Sequence, residues 1–252
     1  MHADIIKADI LDGLDKIGEK TVDLIFIDPP YNLGKKYANN IKDKWVTQDD
    51  YLNWLYKWLE LAISKLKDTG SLYIMNSTLN MPHIDIFLQK FMHIKSRIVW
   101  GYDSSGVQAK THYGSLYEPI LYAVKNKNKY TFNSNDILVE TTTGFKRKLM
   151  DYRKKEPKLY NSHKVPGNVW YFPRVRYKME EYMHHPSQKP EKLLERIILA
   201  SSNEDDTVLD LFAGTFSLGR VCKKYKRNYI GIEKSHVYVK EGKIRLEKST
   251  EK

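Results

Sequence analysis

The apolar positions of this chain fall into two alternating spacings. Val22 to Ile27, Ser71 to Met75, Ile94 to Trp100, Thr207 to Leu211 and Asn228 to Ile232 are short runs rich in apolar residues, the pattern of strands covered on both faces. Residues 4–10 predict a further short strand ending on Asp9 and Ile10. Between these runs the apolar residues come three or four apart. Leu52, Leu55, Leu59, Ala62, Ile63 and Leu66, with Trp54 and Trp58, predict a core helix, to which no chemistry is assigned. It opens on a capping box at Thr47 and Asp50, runs to about Lys67 and is closed by Gly70. Pro82 to Met92 predicts a second helix. A third opens with Ser187 as cap and Pro190 in its first turn, and buries Leu193, Leu194, Ile197, Ile198 and Ala200. A fourth follows Gly219 and closes on Lys223, Lys224, Lys226 and Arg227, which suits its dipole. Strands alternating with helices predict an α/β fold, a mostly parallel twisted sheet with helices on both faces.

Periodicity weakens between Gly101 and His185, where only Glu118-Pro119-Ile120-Leu121-Tyr122 reads as a returning strand. Charge takes over there. The chain of 252 residues carries 42 Lys+Arg against 31 Asp+Glu, a formal +11, and this third holds 15 basic and 8 acidic residues. Lys146 to Lys178 is sharper, with 11 basic residues against Asp151 and Glu156. Tyr152, Tyr160, Trp170, Tyr171, Phe172 and Tyr177 are threaded among them. Cations that release counterions from phosphate, interleaved with rings that stack or wedge, suit a nucleic-acid-binding insertion; a lysine-rich solvated loop is the plainer alternative. The chain thus divides into 1–100, 101–185 and 186–252. No apolar run approaches the ~18 residues of a membrane span, and an N-terminus with Asp4 and Asp9 does not read as a signal peptide, so a cytosolic protein is expected. The single cysteine, Cys222, excludes an internal disulfide framework and a cysteine-built metal cage; no metal is expected.

Candidate chemistry centres on Asp28-Pro29-Pro30-Tyr31, directly after the Leu24 to Ile27 run. Two prolines fix φ and remove two donors, so the turn offers carbonyl oxygens and a carboxylate as acceptors, which is what an exocyclic amino group needs. Tyr31 offers a π face for the same ring, or is a solvated tyrosine on a strand-ending turn. The polar stretch Asn32 to Lys44 that follows is either a flap over this mouth or an ordinary surface loop. At the other end of the chain, Asp210-Leu211-Phe212-Ala213-Gly214-Thr215 joins a strand to a helix through small residues, letting backbone N–H groups approach a polar ligand. Glu233 ends the next strand about twenty residues on, an interval that fits hydrogen bonds to a ribose diol. Asp9 ends its strand as a ligand acceptor or as a helix cap.

Taken together these residues resemble an amino-methylating DNA methyltransferase of the permuted β class, over nearly the whole chain. Asp28-Pro29-Pro30-Tyr31 matches its catalytic motif and the Asp210 to Thr215 segment its cofactor loop; His185-Pro186-Ser187-Gln188-Lys189-Pro190 resembles the segment beside the cofactor's methionine part, and Tyr229 to Glu233 the ribose-binding strand end. The resemblance implies a Rossmann-like fold with S-adenosyl-L-methionine as cofactor. It places Asp9, Ile10, Asp28, Lys189, Asp210, Phe212, Ala213, Gly214, Thr215 and Glu233 around that cofactor. It also implies an inserted target-recognition region at 101–185 that binds double-stranded DNA; the expected DNA contacts are Lys146, Arg147, Lys148, Arg153, Lys154, Arg174 and Arg176 within it and Lys35 and Lys36 outside it. Phe216 stands where the family usually has a second glycine, and is expected to narrow the loop or pack over the cofactor. In the implied reaction Asp28 and the Pro29 carbonyl accept the hydrogens of an amino group on a base flipped out of the duplex and received by Tyr31. An aspartate at the first motif position goes with N6 of adenine in this family and a serine with N4 of cytosine, so adenine is favoured. Methylation at cytosine carbon 5 needs a nucleophilic cysteine, which Cys222, behind the cofactor loop, does not provide. The rival readings are an RNA or protein-glutamine methyltransferase, a non-catalytic nucleic-acid-binding module, and a nicotinamide-linked enzyme, which lacks its GxGxxG. The resemblance implies a bacterial cytosolic or phage-encoded enzyme acting at the nucleoid; oligomeric state stays open, a homodimer included.

Overall fold

From Leu24 to Ile27 of strand β2 (Val22–Ile27), successive side chains serve opposite cores. Val22, Ile25 and Ile27 enter one hydrophobic cluster, and Leu24 and Phe26 enter another on the opposite face. A strand buried this way cannot show polar alternation, which is why Leu24 to Ile27 is a continuous apolar run. The computed structural model describes residues 2–41, 43–102 and 110–248; Lys42, within the expected polar loop, lies outside them. Around β2, one sheet is assembled from β1 (Ala3–Lys7), β3 (Leu66–Met75), β4 (His93–Gly101), β5 (Tyr117–Val124) and three strands from later in the chain. The order is β1-β12-β11-β2-β3-β5-β4-β10, with β10 at Val169–Tyr171, β11 at Thr207–Asp210 and β12 at Asn228–Glu233. All neighbours are parallel except β3 with β5 and β5 with β4.

Helices cover both faces. α1 (Ile10–Leu14), α2 (Gln48–Lys65) and α3 (Met81–Leu88) bury their apolar sides in the first cluster, while α4 (Glu191–Ser201), α5 (Ser217–Lys224) and α6 (His236–Lys248) serve the second. The capping box at Thr47 and Asp50 forms as the sequence predicts. Four local expectations change. Ile10 begins α1 rather than ending a strand, because the chain turns at Asp9 to bury Ile10 and Leu14. Gly70 lies inside β3, where the register with β2 shifts and an added Cβ would press on the Leu66 side chain. α4 begins at Glu191 with Pro190 preceding it, so Ser187 is free for other bonds. α6 gives a weak apolar period, and the sequence reading does not find it.

The stretch 101–185 also contributes strands to the sheet, as its returning strand at Glu118 to Tyr122 suggested. β5 sits in the middle of the sheet and β10 at its edge, so both belong to the main body. What stands apart is 139–164, where β6 (Val139–Glu140) pairs β9 (His163–Lys164) and β7 (Met150–Asp151) pairs β8 (Lys158–Leu159). These two-residue ladders occupy the most basic stretch, where no apolar period is available to build longer strands.

Phe216 is fully buried in the second cluster, turned away from the cofactor loop onto Gly242 of α6 and the ring of Tyr229. A Cβ at Gly242 would overlap the Phe216 ring. Alanine normally gains about 1 kcal/mol over glycine inside a helix, but overpacking costs about 1–3 kcal/mol. Gly242→Ala is therefore expected to lower stability, read as a reduced urea midpoint at unchanged slope; a raised midpoint would show that α6 can shift to make room.

Candidate active site

The parallel strands deliver Asp28 from β2, Asp210 from β11 and Glu233 from β12 to one edge of the sheet, together with Asp9 just beyond β1. β5 runs the other way, so its start brings Glu118 to that same edge. Asp28 lies in a nearly dry cluster. Its Oδ1 accepts from the Tyr31 hydroxyl at 2.7 Å and its Oδ2 from Lys189 Nζ at 2.7 Å. The Tyr31 hydroxyl is also 3.0 Å from Glu118 Oε2, which stands 3.6 Å from Lys189 Nζ. Burial alone would push the Lys189 ammonium down, but the carboxylates of Asp28 and Glu118 outweigh it and hold the ammonium above its ordinary range. Burial, with the same two carboxylates, pushes the Tyr31 phenol well up, so it stays a donor.

The turn itself is braced from behind. Tyr51 of α2 donates to the Pro30 carbonyl at 2.8 Å and accepts from Asn76 Nδ2 at 2.8 Å. Asn80 Nδ2 donates to the Tyr31 carbonyl and to Asn76 Oδ1, both at 2.9 Å. Among the described residues nothing donates to the Pro29 carbonyl. Of the acceptors foreseen in this turn, Pro30 is thus spent on structure, while Asp28 and Pro29 keep lone pairs for a ligand.

Beside the turn lies a cavity walled by Asp9, Ile10, Trp54, Phe212, Gly214 and Glu233, roofed by Tyr37, Ile41 and Tyr238. Trp54 thus has a place in the site, against the expectation that its helix has none. Tyr238 comes from α6; Tyr37 and Ile41 belong to the Asn32 to Lys44 stretch, which is tied down. Buried Asp43 accepts from the backbone N–H groups of Asn32, Leu33 and Lys35 at 2.6–3.3 Å, Ala38 N–H donates to the Tyr238 hydroxyl at 3.1 Å, and Ser235 Oγ bonds Asn39 Oδ1 at 2.7 Å. His185 packs between Tyr37 and Tyr238 with ring centroids 5.6 and 4.7 Å away. Burial first, then the Lys189 and Lys35 charges, push its imidazole down to about 3, so it is a neutral wall.

Both Glu233 oxygens accept backbone N–H groups, Oε2 from Gly214 at 2.9 Å and Oε1 from Ser235 at 2.7 Å, leaving one lone pair on each for the cavity. Gly214 is left-handed, at φ +49°, and a Cβ there would meet the His185 ring at 3.1 Å. Asp210 accepts from the Tyr229 hydroxyl at 3.1 Å through Oδ2, while its Oδ1 is buried with no partner, in a recess it shares with Asp28, Ala213 and Thr215. An orphaned carboxylate oxygen, a glycine cradle and a carboxylate set for a diol fit a positively charged nucleoside cofactor.

Several expected positions fall elsewhere. Phe216 does not line the cavity. Lys189 binds Asp28 and the Ser187 carbonyl, at 3.2 Å, and lines the recess beside Asp210, where its segment was expected. Lys35 is half-buried with Nζ 5.7 Å from the Tyr31 ring centroid, so it belongs to the site rather than to an open DNA-facing surface. Lys36, Arg147, Lys148 and Lys154 are exposed as expected. Lys146 pairs with Glu140 at 3.4 Å, Arg153 with Asp151 at 2.8 Å, Arg174 lies 5.0 Å over the Tyr102 ring, and Arg176 is exposed. The sequence reading missed Glu118, Asn76, Asn80, Tyr37 and Tyr238. Only Glu118 left a signal, an acid opening an otherwise apolar strand.

Sheet order, edge carboxylates and cavity together define a Rossmann-like methyltransferase fold. Residues 22–243 match the family described as DNA methylase, and the chain belongs to that family. It is 57% identical over 243 residues to the DNA adenine methyltransferase YhdJ of Escherichia coli (strain K12), covering 96% of this chain and 82% of that one. It is 35% identical to the type II methyltransferase M.HpaI of Haemophilus parainfluenzae, covering 98% and 75%. The crystal structure of an M1.HpyAVI–SAM complex aligns with a TM-score of 0.67 at 25% identity, covering 97% of this chain and 98% of that one. No helix among the described residues is long and apolar enough to cross a membrane.

Burial, above all, raises the Asp210 carboxyl to about 7. The folded chain therefore keeps this proton when the unfolded chain has lost it. The associated stability is present below about pH 4, the ordinary carboxyl value, and is lost as pH rises through about 7. Asp210→Asn is expected to remove that loss, so its margin over wild type in cofactor-free urea unfolding should grow by up to ~3 kcal/mol from pH 5 to pH 8. A constant margin would mean that Asp210 ionises without cost.

Proposed function

We propose that this protein transfers a methyl group from S-adenosyl-L-methionine to the exocyclic N6 of adenine in double-stranded DNA. The observation that carries this reading is the Asp28 turn. It presents a carboxylate and a bare Pro29 carbonyl beside a nucleoside-shaped cavity, with every other group of the turn committed to holding it. The adenine choice is supported by Asp28 at the first motif position and by the activity in the name of the 57%-identical relative.

When bound, S-adenosylmethionine supplies an electrophilic methyl carbon on a sulfonium. Glu233 would hold its ribose, Asp9 and Ile10 would border its base, and Asp210 with Gly214 would take the charged methionine end. Asp28 and the Pro29 carbonyl accept the two N6 hydrogens, which turns the nitrogen lone pair out of conjugation and toward the methyl carbon. As the nitrogen takes the methyl group, one of those protons would pass to the Asp28 carboxylate and on to solvent, leaving a neutral methylamino group. No residue becomes covalently modified; holding the two reactants in line is worth roughly 7–11 kcal/mol of the barrier. The target base must leave the stack to reach Asp28. Its entry against Tyr31 requires the Lys35 amine to swing off the ring face. The basic segment around residues 139–164 reads the target, and the site of action is the cytosol, where duplex DNA lies.

Labelled methyl from S-adenosylmethionine should appear in unmethylated genomic duplex DNA as N6-methyladenine on nucleoside analysis. N4-methylcytosine would keep the mechanism and overturn the base. Asp28→Ala should slow transfer by at least about 100-fold with cofactor affinity retained, since Lys189 keeps Glu118 as a partner. Glu233→Ala should instead raise the cofactor dissociation constant. Equal losses of both properties in either variant would contradict the division of roles. Replacing Arg147, Lys148 and Lys154 together with alanine should flatten the salt dependence of DNA binding by about 2–3 units of log–log slope; an unaltered slope would assign them to the solvated surface.

A further inference from the structure

The cluster around Asp28 holds one carboxylate more than the reaction uses. Glu118 is mostly buried, its side chain 16% exposed, and its Oε2 faces the two groups that hold Asp28: the Tyr31 hydroxyl at 3.0 Å and Lys189 Nζ at 3.6 Å. Tyr31 has a single phenolic proton for two carboxylates. Lys189 has a single positive charge for the same two. A buried carboxylate is costly unless it is compensated, and a glutamine in its place would hydrogen-bond Tyr31 equally well. The charge of Glu118 is therefore the feature to explain.

We propose that Glu118 is a positioning residue for methyl transfer: by drawing Lys189 and Tyr31 partly onto itself, it keeps Asp28 a strong, available acceptor for the amino group. The inference rests on Asp28 as the acceptor described above. Without Glu118, the ammonium pairs with Asp28 alone. An opposite charge that close stabilises a carboxylate and weakens it as an acceptor toward a neutral amine, whereas a second carboxylate works against this. Two carboxylates, one ammonium and one neutral phenol also leave the cluster one negative charge, which complements the positive charge that develops on the nitrogen. Lys35, Tyr37 and Asp210 also face Asp28, and Lys35 and Tyr102 also face Glu118. Lys35 and Asp210 are left in place by the substitution, and Tyr102 is neutral, so a change at Glu118 can be read at Asp28.

Glu118→Gln in the full chain tests this through two independent readouts. The first needs neither cofactor nor DNA: the Asp28 side-chain carboxyl carbon is followed by 13C NMR against pH, its resonance identified by its absence in Asp28→Asn. The midpoint should fall by about one pH unit; an unmoved or raised midpoint overturns the proposal. The second is single-turnover transfer of labelled methyl to unmethylated genomic duplex DNA. The plateau rate should drop about tenfold or more, and the acid limb of the profile should move to lower pH, at unchanged cofactor affinity. A wild-type plateau overturns it. Glu118→Asp keeps the charge slightly withdrawn from Lys189, so it should give the same shift in smaller measure. That variant carries the test should Glu118→Gln fail to fold, and an upward or absent shift again refutes the proposal. A wild-type enzyme that puts no methyl on adenine would count against the adenine reading alone, leaving the carboxyl titration to judge Glu118.

Discussion

Taking a lysine and an aspartate out of water costs several kcal/mol per ion, and only close, well-aligned contact makes that tolerable. The Asp28–Lys189 pair meets this condition at 2.7 Å, with Lys189 held also by the Ser187 carbonyl. Much of the surrounding architecture follows from it. Two prolines fix the chain at the turn, Tyr51 and Asn80 hold its carbonyls, and Asn76 ties those two supports together. The pair also joins the two halves of the chain, since its members are 161 residues apart. A catalytic carboxylate placed by such a network has few other positions to occupy, which is the property a direct in-line transfer needs.

The cofactor cavity follows a different logic. Its floor is rigid sheet edge, with Glu233 fixed by two backbone donors. Its roof is a loop with one short 3-10 turn at Ala38–Asn40, shaped by the buried Asp43 carboxylate gathering three amides. Between roof and floor stands His185, kept neutral so that the site gains no additional cation beside a positively charged ligand. The orphaned oxygen of Asp210 sits nearby, an acceptor held without a partner by the fold alone.

Much of this was legible in the chain. The strands buried on both faces announced themselves as apolar runs, and the carboxylates at their ends marked the sheet edge, because in a parallel sheet those ends gather together. Illegible were the features that depend on direction or distance. Glu118 reaches the site because β5 runs antiparallel to β3, and nothing local states that direction. Lys189 lines the recess beside Asp210, but its partners Asp28 and Glu118 come from β2 and β5, far off in sequence. Phe216 looked like an intrusion on the cofactor loop; it is buried instead, because Gly242, distant in sequence, leaves room for it. The stretch from Lys146 to Lys178 showed its charge clearly and its short strand pairings not at all.

Among the described residues, β1 pairs only with β12. β1 lies at the sheet edge against β12, with Ala3 opposite Tyr229 and Lys7 opposite Glu233, and β2 likewise finds one neighbour in β11. During synthesis the N-terminal third therefore emerges with the Asp28 mouth complete in sequence but with no floor beneath it. A ribosome must deliver more than two hundred further residues before β1 has a surface to dock on. Contacts of such long span close late and slowly. The cavity beside Asp28 is therefore assembled from both ends of this sequence: until β12 and α6 are made it lacks Glu233 and Tyr238.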